Sequence, residues 1–444
     1  MVGTKRCNLN RAKTEKRSGR ADHAQCSELR DVCTDRMVIK HPAPSGRPSV
    51  RGECGAVAGY GRQLFLFFTG KGIMELRYKH RVRLLKVLVV LFILLPAAAS
   101  SACTSFRLQK GKYLLFAKNH DYHLDHGLII VNKRGVPKKA LLLDVSDTPA
   151  RWVSKYGSVT FNLYGRELPG GGINEAGLAI ESLWLVGTQY PKADGRTAVV
   201  SWLQYQLDNS GSVKDVIASD KKIRIQASTP IPIHFICCDS TGAAAVIEFI
   251  GGKMVCHTGS ALKAAVIANK SYNDATAELK QYKGFGGDKK VPYGPYGSPR
   301  RFVSAADRVR KFDADFKGSY AEAVRYAFDT LYAVRQGDFT KWSVVYDLKK
   351  KQIYYKTLRR PAEKIIRLSD CDFNPETPVQ VISINTHRKG QINKYFSDYD
   401  ADVNRWLVYY SFKHTMLLNL LPEPVLNRLA DYPDNPDYPV SSKR

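Results

Sequence analysis

From residue 103 onward, short apolar runs are broken by turn residues, and this pattern predicts β-structure before anything else. CTSFRLQ (103–109) and YLLFAKNHDY (113–122) flank a Lys-Gly-Lys turn, which predicts a hairpin with Cys103 at one end. Further strands are expected over 127–133, 158–164, 177–185, 231–238, 242–257 and the hairpin 342–357, several of them separated by Gly-rich or Asp-Ser-Thr-Gly turns. Apolar residues return near every 3.6 positions over 196–209, after Pro299 and over 319–336, which predicts three helices. Neighbouring hairpins argue for antiparallel sheets, and helices that come in blocks can cover the outer faces of those sheets, an α+β arrangement. The stretch 291–299, VPYGPYGSP, reads as a loop and a candidate substrate gate. Beyond 386, residues 403–421 read as one apolar helix and a candidate oligomer contact, followed by a Pro/Asp-rich tail.

The first hundred residues have a different character. Residues 1–73 lack a periodic apolar pattern, and their four cysteines (Cys7, Cys26, Cys33 and Cys54) fit no metal-ligand spacing. At Met74 a basic stretch leads into VLVVLFILLPAAA (87–99), thirteen residues without a charge, followed by Ser-Ser-Ala. That order is the order of a secretory signal peptide, and the apolar run is short for a membrane span. The expected division is therefore an upstream extension over 1–73, with translation starting at Met74. A signal peptide would cover 74–102, a main domain 103–385 and a C-terminal extension 386–444. Small residues at Ser100 and Ala102 suit cleavage after Ala102, which would make Cys103 a new N-terminus in a periplasmic or secreted protein.

A cysteine so placed has two chemical fates. One is lipid attachment, giving a surface lipoprotein or binding module; the position three before the cysteine, where such proteins favour Leu, is Ser100. The other is catalysis, because a free α-amine, with a reference pKa near 8, can take the proton of a thiol whose reference pKa is about 8.5. Nucleophile and base then sit on one residue, and no histidine is required.

Composition narrows the class without naming it. With 44% hydrophobic and 25% charged residues, the chain is globular in character. The net charge of +27 divides into +12 over residues 1–102 and +15 over the rest. Spread without a basic block or a nucleic-acid motif, that charge argues against nucleic-acid binding and for attraction to anionic membrane surfaces or substrates.

The residues after Cys103 carry a resemblance. An N-terminal Cys-Thr, a Gly-containing turn, and then Lys118-Asn119-His120-Asp121 resemble the choloylglycine hydrolase and penicillin V acylase family of N-terminal nucleophile hydrolases. Asp121 matches the family's aspartate, which bonds the nucleophilic cysteine. Lys118 stands where the family has arginine, keeping the charge but losing the planar fork. The segment LPGGGINEAGLAIESLWL (168–185) is similar to the Gly-x-Asn-Glu-x-Gly-Leu block. Ten residues past the Asn of that block, the bile-salt-cleaving branch has asparagine and this chain has Trp184, so the resemblance is closer to the Gram-negative branch, whose members cleave penicillin V or long-chain acyl-homoserine lactones. Asn269, ending AAVIAN, matches the asparagine that helps hold the oxyanion, and Arg301 stands in the family's Ser-Arg-Phe-like position.

The resemblance implies a four-layer αββα sandwich and a cofactor-free, homo-oligomeric hydrolase of linear amide C–N bonds, with a small-molecule N-acyl amide as substrate. Cys103, Asp121, Asn269, Arg301 and Lys118 would be catalytic, the backbone N–H at 184 would serve the oxyanion, and the Trp184 indole would line an acyl pocket. Two other constellations compete. His120, His123 and His126 with Asp121 and Asp125 suggest a metal site, although a strand would turn neighbouring members to opposite faces. Cys256 and His257 suggest a Cys-His dyad, with the same objection. Cys237, Cys238 and Cys371 read as buried thiols.

Overall fold

The structure is a computed structural model that describes residues 103–144, 146–294, 297–416 and 418–435. The extension and signal segment expected over 1–102 lie outside the described residues, as does the centre of the 291–299 loop.

Twenty strands and seven helices make up the described chain. The opening hairpin is β1 (Thr104–Lys110) and β2 (Tyr113–Asp121), closed by Gly111 at φ +54°, a left-handed turn that glycine reaches without strain. There follow β3 (Leu128–Asn132), β4 (Pro137–Lys139), β5 (Arg151–Val153), β6 (Ser158–Asn162), β7 (Pro169–Asn174) and β8 (Ala179–Trp184). Next come β9 (Thr197–Val199), α1 (Trp202–Asn209), α2 (Val213–Ala218), β10 (Ile223–Ile225), β11 (Ile233–Cys238), β12 (Ala244–Ile250), β13 (Lys253–Thr258) and β14 (Val266–Ile267). The chain continues through α3 (Tyr272–Leu279), α4 (Ser298–Asp315), α5 (Tyr320–Ala333), β15 (Thr340–Asp347), β16 (Gln352–Thr357) and β17 (Lys364–Arg367). It ends with β18 (Gln380–Ser383), β19 (Gly390–Gln391), β20 (Ser397–Asp398), α6 (Ala401–Lys413) and α7 (Glu423–Asp431).

Two large sheets result, one of seven strands in the order β14-β1-β2-β15-β16-β17-β19 and one of nine in the order β13-β12-β11-β8-β7-β6-β3-β18-β20. Only the β17–β19 pair is parallel within them. Strand alternation explains the layering. Ile129 and Val131 of β3 enter the core shared by both sheets, while Leu128 and Ile130 face Leu407 of α6. Likewise Ile180, Phe235 and Ile247 turn outward onto Trp202, Leu203 and Leu207 of α1. Helices α4 and α5 cover the other sheet through Phe302, Val309, Phe312, Ala327 and Leu331. The molecule is thus a four-layer αββα sandwich, as the resemblance implies.

Three local expectations need correction. The helix predicted over 196–209 begins only at Trp202; Thr197–Val199 form β9, since Ala198 bonds across to Thr148 and Ala150 and β-branched residues favour an extended backbone. The apolar helix expected to run to 421 stops at Lys413; Leu407 packs on β3 and β18, and Val408 and Phe412 pack on Leu426 and Ala430 of α7. The C-terminal extension, expected to hold one helix, has a second in α7, whose Pro424 sits in the first turn, where a proline costs no hydrogen bond. Residues beyond 385 also share both sheets, through β19 and β20.

Candidate active site

The site forms where the N-terminal end of β1, the C-terminal end of β2 and the start of β15 lie side by side. Cys103 is 3% exposed, and the Asp121 N–H donates to its Sγ at 3.5 Å. The β1–β2 register, pairing Thr104 with Asn119, sets this proximity, because a hairpin fixed by its turn brings positions 103 and 121 to the same end. Asp121 Oδ1 accepts a bond from Thr340 Oγ1 at 2.5 Å. Burial pushes the Asp121 carboxyl up to about 6, against the pull of Thr340, Arg301 and Lys118.

Arg301 enters from the first turn of α4 and is 1% exposed. Its Nη1 donates to the Cys103 carbonyl at 2.7 Å and to Thr104 Oγ1 at 2.6 Å, and its Nη2 donates to Asn269 Oδ1 at 3.1 Å. Burial lowers the pKa of this guanidinium, and the neighbouring Asp121 and Cys103 oppose the shift. Asn269 follows β14. Its Nδ2 donates to the Trp184 carbonyl at 2.8 Å, and its backbone N–H donates to Ser298 Oγ at 2.8 Å. An amide nitrogen carries two hydrogens, so one Nδ2 hydrogen is engaged and the second is available to a reacting oxygen. Asn269 thereby ties the end of β8, in the nine-stranded sheet, to the arginine of α4. The Trp184 side chain is half-buried.

With this geometry established, the comparison with known families adds to the picture. Residues 103–292 match the family described as linear amide C–N hydrolases, choloylglycine hydrolase family. Over that segment the chain is similar to the choloylglycine hydrolase family. A penicillin V acylase from Pectobacterium atrosepticum is 27% identical over 264 residues, covering 50% of this chain and 69% of that protein. Among solved structures, penicillin V acylase from Agrobacterium tumefaciens superposes with a TM-score of 0.58 at 24% identity, covering 67% of this chain and 98% of that one. A variant of conjugated bile acid hydrolase from Clostridium perfringens superposes with a TM-score of 0.51 at 20% identity, covering 65% of this chain and 98% of that one. At these identities the two structures speak for the fold. The chain is accordingly placed among hydrolases of linear amide C–N bonds.

Lys118, expected in place of the family's arginine, is held by a partner of its own. Its Nζ lies 2.7 Å from Glu181 Oε2, with side-chain exposures of 4% and 2%, and donates to the Gly170 carbonyl at 3.1 Å. Tyr346 Oη donates to Glu181 Oε1 at 2.6 Å. The pair bridges β2 of one sheet and β8 of the other, and Lys118 acts on Asp121 through its charge. Burial pushes the Glu181 carboxyl upward, with Lys118 and Tyr346 pulling it back. The Gly-Gly-Gly of the family block is therefore no turn: Gly171 lies within β7, where a Cβ would come 1.9 Å from Glu181 Oε2. The turn itself is at Gly177, φ +91°.

The competing constellations resolve into packing. His120 stacks flat on Trp342 at 3.7 Å, and burial holds its pKa well below the ordinary value. His123 Nε2 bonds the His414 carbonyl, and His126 pairs with Asp125. Among the described residues, no group of three or more His, Cys, Asp or Glu could hold a metal ion, and no helix is long and apolar enough to cross a membrane. His257 turns to Glu248 while Cys256 lies on the opposite face of β13, and Cys237, Cys238, Cys256 and Cys371 are free thiols.

Thr340, Ser298 and a chain of hydroxyls from Tyr122 through Tyr164 to Thr415 of the C-terminal segment also belong to the site's surroundings. The sequence held no local signal for them, since their partners lie from 29 to 251 positions away.

The Asp121–Thr340 bond carries a pH prediction. In the reaction proposed below the α-amine must be unprotonated as well as the Asp121 carboxyl ionised, so protonation of Asp121 is expected as a second, lower step on the acid side of kcat/KM, near pH 6. The Thr340 bond favours the ionised form. Thr340→Val is therefore expected to move that lower step to higher pH, and a step that stays in place removes Asp121 from the reaction.

Proposed function

We propose that this chain is an exported amidohydrolase whose nucleophile is Cys103, unmasked by cleavage after Ala102, and that its substrates are N-acyl amides of the penicillin V, acyl-homoserine lactone or conjugated bile salt type. The observation that carries the reading is the meeting of Cys103, Asp121, Asn269 and Arg301 from four separate segments. In the proposed reaction the α-amine takes the thiol proton as Sγ attacks the carbonyl carbon. The oxyanion is met by Asn269 Nδ2 and the backbone at 184, and the ammonium protonates the leaving nitrogen as the C–N bond breaks. Water, deprotonated by the same amine, then attacks the thioester, releasing the carboxylate and restoring the thiol. Asp121 orients the amine and Arg301 fixes the cysteine carbonyl.

The resemblance at Trp184 favours penicillin V and acyl-homoserine lactones, for a half-buried indole offers an apolar face to an acyl chain. The test is an assay of protein beginning at Cys103 on a small panel of these amides, with intact mass measured on the secreted product. A free cysteine mass and turnover of at least one amide are expected. A diacylglyceryl mass on Cys103, or no turnover of any member, would overturn the reading.

A further inference from the structure

Besides its own bonds to Trp184, Ser298 and Arg301, Asn269 has little strand support. The strand before it, β14, is two residues long and pairs only at the edge of its sheet, Val266 with Phe106 and Ile267 with Ser105. So short an edge pairing gives few backbone bonds to hold a side chain in place. What holds the segment is a buried polar cluster that the reaction itself does not use. His234 of β11 and Glu248 of β12 face each other directly across the ladder, both with fully buried side chains, and His257 of β13 flanks the carboxylate from the far side.

The bonds run to both sides of Asn269. His234 Nε2 donates to the Ala268 carbonyl at 2.8 Å, one residue before it, and its Nδ1 lies 3.3 Å from Glu248 Oε1. A carbonyl can only accept, so Nε2 carries the proton. The Tyr272 N–H, three residues after Asn269, donates to Glu248 Oε1 at 2.9 Å. Glu248 Oε2 lies 3.2 Å from His257 Nε2, and the His257 ring packs on that of Tyr272 at 4.6 Å. Tyr272 Oη closes the loop by donating to the Ala264 carbonyl at 2.8 Å. The turn bearing Asn269 is therefore gripped at 264, 268 and 272 by groups from β11, β12, β13 and α3.

We propose that His234 and Glu248 are positioning residues, a clamp that sets the Asn269 amide for the oxyanion. The inference rests on the role given to Asn269 above. A donor aimed at charge that develops only in the transition state loses its effect when displaced by about an ångström, with little change in substrate binding.

The experiment compares protein beginning at Cys103 with its His234→Phe, His234→Gln and Asn269→Ala variants. Glutamine keeps an N–H donor for the Ala268 carbonyl and guards against a phenylalanine variant that fails to fold. Amide hydrogen exchange over 264–275 is expected to quicken about tenfold or more in the phenylalanine variant, or in part in the glutamine variant if that alone folds, while exchange elsewhere in the sheets stays unchanged. On a hydrolysed amide, kcat is expected to fall about 10- to 100-fold with KM within twofold and partial rescue by glutamine. The same change made on top of Asn269→Ala should cost nothing further. Exchange over 264–275 equal to that of the unsubstituted protein, or losses that multiply with Asn269→Ala, would overturn the clamp. The exchange result needs no turnover, so it decides the clamp even where the assay panel has rejected the proposed function.

Discussion

Protein that begins at Cys103 is expected to turn over an N-acyl amide, and the same protein with one alanine placed ahead of Cys103 is expected to lose about 10³-fold or more in kcat/KM. The added residue leaves the sulfur, Asp121, Arg301 and Asn269 in place but turns the amine into an amide, which neither accepts the thiol proton nor returns it to the leaving nitrogen. In the proposed reaction nucleophile and base act as one unit, so losing either should approach the cost of losing both, up to about 10⁶-fold in a well-studied hydrolase. Cys103→Ala should therefore match the alanine-extended protein to within about tenfold. Both proteins should melt with the parent, because Cys103 lies at the end of β1, outside the ladder that begins at Thr104. An alanine-extended protein with full activity would show that another group serves as base. Progress curves on purified, mass-verified samples separate the outcomes.

The second large effect concerns stability. Lys118→Met is expected to destabilise the fold by about 3–5 kcal/mol, because it leaves the Glu181 carboxylate buried at 2% exposure without its cation. The double variant Lys118→Met/Glu181→Gln removes both charges and keeps an acceptor for Tyr346 Oη, so it should recover most of that loss. A domain of this size shifts its melting temperature by about 2–4 °C per kcal/mol or slightly less, which makes the single variant about 10 °C less stable. Thermal melts of the parent, the two single variants and the double variant complete the cycle. Additive losses would show that the two residues act separately, and that Lys118 has its main partner elsewhere.

Much of this was readable from residues. Hairpins with short turns, such as 104–121 and 340–357, follow from local alternation, and so does the position of Cys103 beside Asp121 once the turn length is fixed. Arg301 and Asn269 were reachable through the family pattern alone, because no local rule brings a helix start and a strand end together. Contacts between layers were out of reach. Thr340 meets Asp121 across 219 positions, and Glu181 meets Lys118 from the other sheet, so neither pairing leaves a periodic trace. Residues 197–199 misled because the helical stretch after them carried the apparent period across a short strand.

The absence of a side chain at position 171 reaches beyond this molecule. A methyl there would push the Glu181 carboxylate off its seat beside Lys118 and Tyr346, so homologues bearing alanine at 171 are expected to carry a different or displaced residue at 181 and a differently partnered basic residue at 118. Three sites scattered over two sheets should evolve as a linked set, and an alignment in which they vary independently would contradict the steric argument.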